Sequence, residues 1–246
     1  MRYLFLIIVV YLLSACKKCK TDDSNPELNY LSVKLQPFFG IDSLYLDSSY
    51  ITSEGYRVKF TDIKCFFTDV NNNNKLLSDA VLYDFRETGN LLFEEEGVLE
   101  DFTNLRFVIG VDSLLNHSDP SAFPNESPLN ISNAGTMHWG WNPGYIFISI
   151  EGKVDTLATS SSTFDKNFSF HVGRDAFIGE KNIANVNWQS INSNEHSLNL
   201  KLDMQLFLNG STNSINLSNE FITHSSANQD VLTNKVKENF IEAISQ

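Results

Sequence analysis

The sequence predicts a mainly β fold, an antiparallel β-sandwich with long loops and a C-terminal α-helix. Three observations predict it. Apolar and polar residues alternate through several segments of strand length, and clusters of Asn, Ser, Asp and Gly separate those segments. The period changes from two to about four only near the C-terminal end. With 42% hydrophobic and 12% aromatic residues in 246, the chain holds enough apolar side chain for one larger β domain.

At the N-terminus, Arg2 precedes the apolar run "YLFLIIVVYLL", which ends in Leu13-Ser14-Ala15-Cys16. That run is short for a membrane span and finishes in small residues, as a secretory signal does. "LSAC" resembles a lipobox, so residues 1–15 read as a lipoprotein signal peptide with cleavage before a lipidated Cys16. Residues 16–27, "CKKCKTDDSNPE", are polar and aperiodic and read as a lipid-anchored tether. The expected location is the outer membrane or cell surface, facing the periplasm or exposed outside. Cys19 in the tether and Cys65 in an apolar strand read as two unpaired thiols.

The domain then runs from 28 to 246. "LNYLSVKLQPFFG" places Leu31, Val33 and Leu35 on one face of a strand, and "GYRVKFTDIKCFFTDV" does the same with Val58 and Phe60. "AVLYDF" and "TNLRFVIG" follow. Next is "HSDPSAFPNESPLNISNAG", a long loop of the kind that is functional or structurally special in a compact domain. Further strands are expected at "YIFISIEG", "NFSFHVG", "IANVNWQS" and "HSLNLKLDMQLFLNG". In "NQDVLTNKVKENFIEAISQ", Leu232, Val236, Phe240 and Ile244 recur every four residues, which predicts an amphipathic helix capped near Asn228 or Asp230.

A net charge of −12, with no dense Lys/Arg patch beyond the tether, argues against nucleic-acid binding. There is no His-Glu-x-x-His, no Gly-x-Ser-x-Gly and no phosphate-cradling glycine loop, so the chain is not read as an enzyme. Asn125-Glu126-Ser127 matches a glycosylation pattern but reads as a turn behind a bacterial lipoprotein signal.

Chemistry concentrates in "GTMHWGWNPGYIFISIEG" (135–152), which holds two of the three Trp and one of the five His. In an extended "MHWGW", Met137, Trp139 and Trp141 share one side and His138 takes the other. One reading is an aromatic plug with His138 solvated or hydrogen-bonded. The other is a copper site, since imidazole and thioether donors suit copper and an aromatic shell keeps it dry. In "FSFHVG", alternation sets His171 and Ser169 opposite Phe168, Phe170 and Val172. His117 and His196 lie in loop-like stretches and read as solvated.

"GVDSLLN" (110–116), "GTMHWGWNPGYIFISIEG", "FSFHVG" (168–173) and the C-terminal "NF" helix, in that order, resemble the MbnP-like family. These are copper-binding proteins associated with methanobactin gene cassettes. The resemblance covers roughly 28–246, and its most specific part is the Met-His-Trp-x-Trp-x-x-Gly-Tyr string. It implies one copper ion held by His side chains and, as in some relatives, a Trp oxidised to kynurenine by a dihaem enzyme related to the cytochrome c peroxidases. Carried over, His138 and His171 are the candidate ligands, and Met137 and His224 are the options for a third donor. Trp139 or Trp141 is the candidate modified residue, and Tyr145 lies behind the ligands. The rival is a metal-free surface module whose Trp/Tyr loop is a hot spot for a protein or glycan.

Overall fold

The computed structural model describes residues 27–140, 144–157 and 163–246. The expected signal peptide, residues 16–26 of the expected tether with Cys16 and Cys19, and Trp141 lie outside the described residues. The chain opens with β1 (Asn29–Phe39), whose burial alternates as the sequence predicts, followed by the short β2 (Asp42–Ser43) and β3 (Tyr50–Ile51). β4 (Arg57–Asn71) and β5 (Leu76–Asp84) form a long hairpin across the Asn-rich turn. The turn-like helix α1 (Phe85–Thr88), capped by Asp84, leads to β6 (Leu91–Gly97) and β7 (Leu105–Ile109). The single-turn helix α2 (Ser113–Asn116) precedes the Pro-rich loop, which contains the single-turn helix α3 (Ile131–Ala134).

β8 (Ile146–Asp155) and β9 (Lys166–Gly173) follow, then β10 (Gly179–Ile183), β11 (Gln189–Ser190) and β12 (Glu195–Asp203). The chain ends with α4 (Met204–Leu208), β13 (Ile222–Thr223), α5 (Asp230–Ala243) and β14 (Ile244–Ser245). One sheet runs β11-β12-β1-β2, with β6 and β14 attached; the other runs β10-β7-β4-β8-β9-β13, with β3 and β5 attached to β4. This is the expected β-sandwich with a C-terminal helix. Both sheets are mixed, because β1 pairs with β12 in parallel and β13 pairs with β9 in parallel.

Aromatic side chains fill the space between the layers, with Phe60 on Phe168 and Phe67 on Phe107 edge to face at 5.6 and 5.2 Å between ring centres. Cys65 is free and fully buried there, and burial pushes its thiol well above the ordinary value. Three local expectations are corrected. The strand expected at 183–190 is broken: β10 ends at Ile183, and pairing resumes only at Gln189. The strand expected to continue past Asp203 instead becomes α4, because the Asp203 carboxylate accepts from the Gln205 and Leu206 amides and caps a helix. At α5 the capping box is built one turn earlier than expected, by Ser226 and Gln229 at the start of a 3₁₀ turn, and Ile244 has already left the helix for β14.

Candidate metal centre

β9 sends Phe168, Phe170 and Val172 inward and leaves Ser169 and His171 on the outer face. β13 lies parallel beside it, with Ile222 opposite Ser169 and Thr223 opposite Phe170. The next residue, His224, therefore arrives beside His171. Their Nδ1 atoms are 3.0 Å apart and their ring centres 4.9 Å apart.

The backbone around His224 is fixed from both sides. Ser225 has φ +55°, outside the usual range for a side-chain-bearing residue, and its buried hydroxyl donates to the His171 carbonyl while accepting from the Gly173 amide. Gln229 Oε1 accepts from the His224 amide at 2.9 Å, and the Thr223 and Thr233 hydroxyls bond at 2.6 Å. The start of α5 thus positions His224 over the strand.

Glu151, on neighbouring β8, completes the arrangement. Its Oε1 lies 2.9 Å from His171 Nε2. An ionised carboxylate only accepts, so Nε2 carries the proton and the Nδ1 lone pair faces His224. Burial holds His171 below its ordinary pKa, with His224 adding to the effect and Glu151 opposing it. The His171 side chain is 16% exposed, whereas His224 lies open at the surface.

The aromatic loop approaches the same strand end from the other side. Trp139 packs on Gly173, where a Cβ would come within 2.5 Å of the indole, and its ring centre is 6.4 Å from that of His171. His138 and Tyr145 form an isolated bridge, with the Trp139 amide donating to the Gly144 carbonyl. His138 Nδ1 accepts from the Gly140 amide at 3.1 Å, and the ring stands edge-on to Tyr145 at 4.7 Å. Burial lowers its pKa as well. Tyr145 is fully buried, its hydroxyl donates to the Leu129 carbonyl, and burial pushes its pKa up to about 12.

Of the residues singled out in the sequence, the structure brings His171, His224 and Trp139 together. His138 sits with Tyr145, and Met137, ending a 3₁₀ turn, is 2% exposed within the core. His117 is surface-exposed but pairs with Asp175 at 3.1 Å, and His196 is half-buried on β12. Asn116, the last residue of "GVDSLLN", anchors the loop. Its side-chain oxygen accepts from the Tyr145 amide and its nitrogen donates to Asp175, so a Cβ at Gly144 would collide with it.

Glu151, Ser225, Gln229 and Asn116 were not found from sequence. Glu151 had one visible signal, an acid directly after the largely apolar run Ile146–Ile150. Among the described residues, no group of three or more His, Cys, Asp or Glu is placed to hold a metal ion, so the pair is an open, two-nitrogen arrangement.

The fold and this end of it define a class: a β-sandwich protein with an imidazole pair backed by a carboxylate and flanked by a Trp loop. The family model for MbnP matches residues 29–230, and the chain belongs to the MbnP family. A solved structure, MbnP from Methylosinus trichosporium, aligns over 74% of this chain and 78% of that one, with 16% identity and a TM-score of 0.46. No curated protein matches the chain.

Proposed function

We propose that this MbnP-family protein binds one copper ion through His171 and His224 and serves in copper acquisition or handling. The observation that carries the reading is the Glu151–His171–His224 line beside Trp139. A carboxylate on the far nitrogen of a ligating His is the usual outer support of a metal site, since it fixes the tautomer and raises basicity. The donors suit the ion: imidazole nitrogen is a good copper ligand in its neutral form, and burial favours that form at His171. Two nitrogens 3.0 Å apart are spaced as neighbouring ligands of one ion with bonds of about 2.0–2.1 Å. His224 needs only to move its proton from Nδ1 to Nε2, after which two lone pairs converge.

Copper would supply a bound redox-active cation. The chain's own residues orient the imidazoles, fix the tautomer of His171 and shield one side with the Trp139 ring. In this reading the protein acts stoichiometrically and is not an enzyme. It is tethered through a lipidated Cys16 at the outer membrane or cell surface. A dihaem cytochrome c peroxidase-like partner would oxidise Trp139 or Trp141 to kynurenine, whose aryl amine and carbonyl are donors the indole lacks. The alternative, an aromatic hot spot for a partner, loses one anchor because Tyr145 is fully buried with its hydroxyl engaged.

The test is metal content and intact mass of the mature chain from its own host after dialysis against a weak chelator. One copper per chain, lost in His171→Ala, supports the reading, and a mass gain matching kynurenine points to a Trp. A folded, unmodified chain that neither carries nor takes up copper overturns it.

A further inference from the structure

Away from the imidazole pair, the Pro-rich loop arches over the outer face of β4, β5 and β7 and encloses a cleft of about 840 Å³. Its wall is preformed: Asn130 donates to the Phe123 carbonyl, and Asn133 donates to the carbonyls of Asn125 and Ser127, each at 2.7 Å. Val108, Leu115, Phe123 and Leu129 make the lining largely apolar, and Leu76, 52% exposed, stands at the mouth.

The charge is one-sided, since the lining contains carboxylates and no Lys, Arg or His. Two of those carboxylates are engaged: Asp69 pairs with Arg106, and Asp112 caps α2. Asp79, Glu95 and Glu126 lack an ion-pair partner among the described residues. Partial burial and the charges of Asp79 and Glu96 raise the Glu95 carboxyl, and a cation placed there would relieve that crowding of like charge.

We infer that the cleft is a binding site for a small organic cation, a protonated amine on an apolar body, with Asp79 and Glu95 receiving the charge. Its volume falls in the range of small-molecule sites, roughly 300–1,000 Å³. The apolar floor would take the body of such a ligand, and the acidic rim rejects anions. The copper reading is not required for this site.

The experiment titrates the full chain at low salt with 4-phenylbutylamine and, in parallel, with its neutral isostere 4-phenylbutanol. Calorimetry and methyl NMR shifts at Val108 and Leu129 report the binding. The amine is expected to bind saturably, one per chain, and the alcohol about tenfold more weakly. D79N/E95Q should weaken the amine about tenfold, whereas E54Q/E87Q, which removes the same charge elsewhere, should leave it unchanged. These exposed carboxylates make no contact on which folding rests, and a thermal melt checks that each variant is native. Equal binding of amine and alcohol, an equal loss in both double variants, or no saturation overturns the assignment. Binding of a Leu-Lys peptide without binding of the amine also overturns it, in favour of a protein partner.

Discussion

His171 and His138 lie at the same end of the sandwich, both partly buried and both with depressed pKa values, yet their nitrogens are used differently. His171 has its proton pinned by Glu151, and its remaining lone pair is aimed at a second imidazole. His138 accepts a backbone N–H on Nδ1, so its neutral form carries the proton on Nε2 and has no lone pair left over. Burial alone therefore does not leave a nitrogen free to bind. The hydrogen bond that occupies the other nitrogen decides.

His171→Ala should have the largest effect, lowering copper affinity by more than about 100-fold, beyond the 10–100-fold typical of outer-shell losses. His224→Ala should match it, as measured by competition with a chelator of known affinity. Glu151→Gln comes next, at roughly 10–100-fold, because the amide can present its NH₂ to Nε2 and reverse the tautomer. Its melting temperature should barely move, which separates tautomer control from a folding defect. Ser225→Ala is expected to cost about tenfold in affinity by releasing the His224 backbone from β9. His138→Ala should change affinity by no more than about threefold. A loss as large as that of His171→Ala would break the comparison.

The smallest effect concerns pH. Both histidines have folded pKa values below the unfolded value of about 6.5, so the unfolded chain binds more protons just below that pH. Stability of the metal-free protein is then full above about pH 6.5 and declines as pH falls toward the folded values. His171→Gln and His138→Gln should each flatten that decline in urea titrations at pH 7.5 and 5.0.

Much of this was legible because it depends on local alternation. Leu31, Val33 and Leu35 fall on one face of β1 as the pattern requires, and His171 lies opposite Phe170 for the same reason. The C-terminal helix was visible in Val236 and Phe240, both fully buried. What stayed hidden depends on pairing between distant segments. Nothing within "FITHSS" says that Ile222 will align with Ser169, so His224 was one of two options for a third donor until β13 took its place beside β9. β8 is buried on both faces, which erases the alternation that would have marked the outward side of Glu151. At Met204, apolar spacing continued the strand pattern, and only the cap at Asp203 turned the chain into α4.

The parallel pairing of β1 with β12 also sets the order in which the molecule can assemble. Tyr30 pairs with Glu195 and Phe38 with Asp203, so the first strand gains that neighbour only when most of the chain is available. The other edge of β1 holds only β2 and β6, a partial sheet without the C-terminal elements that cover it. Such long-range closure slows folding, because the loop must be closed before the contacts repay it. A chain delivered N-terminus first would remain open along this seam until β12 emerged, and the whole sandwich would close as a late event.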